Sequence, residues 1–152
     1  MKNLLIKIAA VVCAYLLCLP AYAKEQPQTS LADRRKAEHY YLEAVIRQNM
    51  DDMASYYSLV KRAYELDLTN KRYGYDLGYC LTVTSKSTSV INHGLNLMKT
   101  YTDAHPEEYY ENYIFAAICL HLGKVDMATE VWETLVSKFP EKIQCYPMLA
   151  NC

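Results

Sequence analysis

The clearest hydrophobic pattern in the chain lies in Tyr109–Glu141, YYENYIFAAICLHLGKVDMATEVWETLVSKFPE, where apolar residues recur three and four apart on either side of Gly123-Lys124. That spacing predicts two short amphipathic helices joined by a tight turn. The rest of the chain reads as copies of this unit. A small residue sits on the first helix of each copy at Ala44, Gly78, Ala116 and Ala150, at intervals of 34, 38 and 34, and Pro106 and Pro140 are also 34 apart. A small side chain lets that helix approach its neighbour closely, bulky residues on the second helix fill the remaining space, and no pair buries its face without the next.

The period divides the chain into units at residues 37–70, 71–108 and 109–142, with the start of a fourth at 143–152. In the first, Asn49 to Asp52 form the turn, with Asp51 or Asp52 capping the second helix. Glu43 and Tyr56 stand where leucine and alanine are usual, as befits a terminal unit. The second unit carries the four-residue excess, placed in Thr84–Ser89, TSKSTS, because its Ser/Thr density marks a loop. In the fourth, Tyr146, Leu149 and Ala150 begin another first helix that the sequence leaves incomplete. Trp132 and Leu135 are then expected to be thinly covered and to leave an apolar patch open to self-association.

The N-terminus departs from this pattern. Lys2 and Lys7 precede an apolar run from Ile8 to Leu19, followed by Ala21-Tyr22-Ala23, the arrangement of a secretory signal removed after Ala23. The run is short of the roughly 20 residues a membrane span needs. Val12 and Leu17, directly before Cys13 and Cys18, do not make a lipoprotein site. Residues 24–30 are polar and aperiodic at their start and are expected to be a disordered leader. Ser30 and Asp33 have capping-box-like spacing, which starts the first helix at Leu31.

Composition supports an all-α protein: 152 residues allow one domain, with only four glycines and fifteen tyrosines. Without residues 1–23 the chain keeps 14 basic against 17 acidic residues, a net charge of about −3. Nothing in that balance points to nucleic acid or an acidic membrane, and no integral membrane segment is expected after signal removal.

The sequence also lacks the usual marks of a reaction. His39, His93, His105 and His121 have no metal-ligand spacing, no phosphate loop or nucleophile elbow occurs, and Glu107-Glu108 beside Glu111 reads as a solvated helix start. No catalytic residue, metal or cofactor is therefore expected, and the chain is read as not an enzyme. Cys80, Cys119, Cys145 and Cys152 remain after export. Cys145 and Cys152 are too far apart along a helix to bridge. A Cys80–Cys119 or Cys119–Cys152 bridge stays open beside buried free thiols, the default.

Phe115-Ala116 on the first helix, Ala128 and Trp132 on the second and the closing Pro140, with echoes at Leu77-Gly78, Ala63 and Leu149-Ala150, resemble the tetratricopeptide repeat family. The opening Tyr40-Tyr41-Leu42-Glu43-Ala44 with an export signal is similar to exported repeat proteins of Bacteroidetes-like bacteria. The resemblance implies an antiparallel helix-pair solenoid, a right-handed superhelix of about three repeats plus the start of a fourth. It also implies an interaction scaffold, periplasmic or extracellular, that binds a protein or peptide partner along a concave groove. The family pattern selects Glu38, Tyr41 and Val45, then Arg72, Tyr75, Tyr79 and Thr82, then Tyr110, Tyr113, Ala117 and Leu120 to line it. The lysine and asparagine that hold a terminal carboxylate in some members are absent, so this tyrosine-rich groove suits an apolar or proline-rich segment. Two alternatives are an N-terminal sensing or assembly segment of a longer signalling or enzyme chain and, more remotely, an autonomous enzyme.

Overall fold

The computed structural model of the chain describes residues 29–152. The expected signal at 1–23 and most of the leader lie outside them. The described residues form seven α-helices and no strand: α1 Leu31–Asn49, α2 Met53–Leu66, α3 Lys71–Thr84, α4 Thr88–Ala104, α5 Tyr109–His121, α6 Val125–Lys138 and α7 Cys145–Ala150. The described part of the chain is all-helical.

Local chemistry sets several of the helix ends. The Ser30 hydroxyl accepts the Asp33 N–H at 3.0 Å and donates to Asp33 Oδ2 at 2.6 Å, so α1 starts where the capping-box spacing places it. Thr29, the residue before, donates to Asp67 Oδ1 at 3.2 Å and so ties the entry of α1 to the end of α2. Asp52 caps α2 by accepting the Ser55 N–H, and Asn70 caps α3 by accepting that of Arg72. After α5 the Lys124 N–H reaches Cys119 O and the Gly123 N–H reaches Leu120 O. Gly123 takes φ +70 there, the left-handed cap conformation that glycine adopts without steric cost.

Each helix lies against the next in chain order, α1 on α2 through to α6 on α7. Three-residue turns fold α2 back along α1, α4 along α3 and α6 along α5. Ala44, Gly78 and Ala116 are all buried, while Ala150 at the end of α7 is exposed. The largest apolar cluster joins α3 to α7 around Tyr75, Met98, Phe115, Trp132, Leu135 and Cys145. Smaller ones sit around Val60 and Leu77 and around Ala37 and Ala63.

Two expectations are corrected. The turn between α3 and α4 is only Ser85–Ser87, no longer than its counterparts, and the four-residue excess instead extends the helices on either side of it. From the small residue to the end of its helix, α3 runs one residue further than α1 and α5. The rest falls at the start of α4, which has 17 residues against 14 in α2 and in α6. Thr88 and Ser89 lie in the first turn of a helix with Ser87 at its N-cap, positions that tolerate such residues as well as a loop does. Second, Trp132 and Leu135 are both fully buried, because α7 brings Cys145, Met148 and Leu149 onto the same cluster. The exposed apolar side chains near that end are Ile143 and Tyr146.

Candidate functional site

The first helices of the three pairs, α1, α3 and α5, are joined by long polar side chains centred on Arg72. This arginine is half-buried in the first turn of α3. Its Nε donates to Tyr41 Oη on α1 at 3.2 Å and to Asp76 Oδ2, one turn along α3, at 3.3 Å. Its Nη1 donates to Glu111 Oε1 on α5 at 2.7 Å. Tyr41 completes the link by donating its hydroxyl to Asp76 Oδ2 at 2.6 Å, and Tyr75 donates to the Glu111 backbone oxygen at 2.9 Å. The guanidinium also lies 5.6 Å from the ring centres of both Tyr75 and Tyr101.

Burial dominates the electrostatics of this cluster. It pushes the Asp76 carboxyl above the ordinary aspartate value, even though Arg72 and the Tyr41 hydroxyl both favour the charged form. Burial also disfavours the Arg72 charge, but the pull of Asp76 and the hydrogen bond to Glu111 outweigh it and hold the guanidinium firmly protonated. Burial, followed by the Asp76 charge for Tyr41 and the Glu111 charge for Tyr75, raises both phenols. Both hydroxyls therefore stay protonated as donors at neutral pH. One cation against two carboxylates leaves the cluster without free positive charge.

The residues selected for a groove have different fates. Tyr41, Arg72 and Tyr75 are brought together, but Tyr75 is only 3 % exposed and serves the packing between α3, α4 and α5. Tyr79 and Tyr113 are partly exposed, Tyr113 standing edge-on to Trp132 with ring centres 5.0 Å apart. Tyr110 is 72 % exposed and touches the ring of Tyr109. Glu38 is exposed and Val45, Ala117 and Leu120 are half-buried, whereas Thr82 is buried with its hydroxyl on Tyr79 O.

The acidic start of α5 is corrected from a purely solvated one. Glu111 is held by Arg72, and Glu108 Oε2 accepts the Tyr101 hydroxyl at 2.6 Å. Behind them the buried Asn112 donates to His105 O at 2.9 Å and Glu108 O at 2.7 Å, fixing the turn that leads into α5. Beside Arg72 a pocket of about 600 Å³ opens between the turn before α3 and the end of α4, where His105 stacks on Tyr101 with ring centres 4.3 Å apart. Asp76, Tyr101 and Glu111 were missed as partners of Arg72. Only Arg72 and Asp76, four apart on one helix, left a signal in the sequence.

The four cysteines among the described residues are free thiols, Cys80, Cys119 and Cys145 buried and Cys152 exposed. Among the described residues no helix is long and apolar enough to cross a membrane. No protein-family model matches the chain, and no curated protein is similar to it.

Proposed function

We propose that the chain is an exported binding scaffold of tetratricopeptide-like helix pairs, about three and the start of a fourth wound as a right-handed solenoid. It takes a protein or peptide segment along the face shared by α1, α3 and α5. The observation that carries this reading is the Tyr41–Asp76–Arg72–Glu111 network. It holds the first helices of three successive pairs in a fixed relation, and two of those helices, α3 and α5, carry tyrosines that keep some exposure to solvent, Tyr79, Tyr113 and Tyr110. A pre-set, aromatic surface gives apolar area and hydroxyl hydrogen bonds with little side-chain entropy to lose. Arg72 is already neutralised, so an apolar or proline-rich segment suits the face better than an acidic terminus.

The test is a peptide selected from a library on the purified protein, with its affinity compared across Tyr79→Ala, Tyr110→Ala, Tyr113→Ala and a control on the α5–α6 turn, Lys124→Ala. At least one tyrosine variant is expected to lose about 1–2 kcal/mol with folding intact. Equal affinity in all four variants defeats the reading. Export is tested separately by intact mass, which should show loss of residues 1–23 from a product outside the cytoplasm.

A further inference from the structure

We draw no further inference here: the strongest candidate, the cleft of about 320 Å³ between α4 and α6 lined by Lys99, Asp103, Asn112 and Glu130, carries nothing, because Lys99 already pairs with both carboxylates and nothing else among the described residues points to a ligand.

Discussion

Gly78 on α3 and Gly94 on α4 meet backbone to backbone: a Cβ on Gly78 would stand 2.5 Å from Gly94 O, and one on Gly94 would stand 2.7 Å from Gly78 O. Neither oxygen can move without breaking its own helix, so the contact demands glycine on both sides. Alanine normally improves a helix by about 1 kcal/mol over glycine. Here the clash should reverse the sign, and Gly78→Ala or Gly94→Ala is expected to destabilise by about 1–3 kcal/mol. Gly74→Ala is the internal control, because its Cβ would meet side chains and no backbone, the Tyr64 ring at 3.3 Å and Leu97 at 3.8 Å. That variant should stay within about 1 kcal/mol of the parent in urea unfolding.

Arg72 is expected to matter more for stability than its position in a first helical turn suggests. Arg72→Met removes the only cation that is paired with buried Asp76 among the described residues and also frees Glu111. Loss of one partner from a buried ion pair costs about 3–5 kcal/mol, and because the Arg72 side chain is 38 % exposed the expected loss is smaller, about 2–3 kcal/mol. Adding Asp76→Asn to Arg72→Met should recover part of it. The pH dependence follows from the sign. An acid whose folded pKa lies above its unfolded one opposes folding at pH above the folded value, and the cost shrinks as pH falls through that value and is gone below the unfolded one. Asp76 is already raised in the intact cluster and rises further without its cation. The deficit of Arg72→Met should therefore shrink between about pH 7 and about pH 4. A deficit constant across that range would show that Asp76 is not the origin.

The helices were legible because their apolar positions and caps are local signals: Ser30 with Asp33 and Gly123-Lys124 mark ends that the structure places at the same residues. The four-residue excess was misplaced because Ser and Thr serve a loop and a helix N-terminus equally well, and only the backbone distinguishes them. Arg72 and Tyr41 could be singled out, yet their joint partner Asp76 lies 35 residues from Tyr41 and Glu111 lies 39 from Arg72. Pairings at that separation depend on how neighbouring first helices sit, which no local pattern encodes. Tyr75 shows the same limit, since at its register a tyrosine can face solvent or fill the gap to the next helix, and here its hydroxyl reaches Glu111 O.

Residues 143–152 should be indispensable for solubility. Cys145 is fully buried, and Met148 and Leu149 pack on the cluster that includes Trp132 and Leu135. Deleting the segment would uncover several neighbouring large apolar side chains at once. A chain ending at Lys142 is expected to aggregate or bind a hydrophobic dye under conditions where the parent does not. If it remains monomeric with an unchanged unfolding midpoint, α7 contributes no cover to the core.

The buried thiols give the last prediction, in two parts. Burial pushes Cys80 up to about 12, helped by the Asp76 charge, and Cys119 up to about 11 against the pull of Lys99 and Lys124. Alkylation depends on the thiolate and on access, so at about pH 8 a maleimide should modify Cys152 promptly and reach Cys80, Cys119 and Cys145 only when the protein unfolds. Rapid labelling of Cys80 in the native protein would contradict its placement under α1 and α2. The same shift has a consequence for stability. Unfolded thiols lose their protons near about pH 8.5–9, whereas the folded chain keeps those of Cys80 and Cys119, so the folded state binds more protons and stability falls as pH rises above that point. Tyr41, Tyr56 and Tyr75, raised chiefly by burial, add a decline of the same sign above about pH 10. The cysteine share is isolated by subtraction. Denaturant midpoints measured from about pH 8 to about pH 10 should fall less steeply in Cys80→Ala with Cys119→Ala than in the parent, and parallel slopes would place the decline on the tyrosines alone.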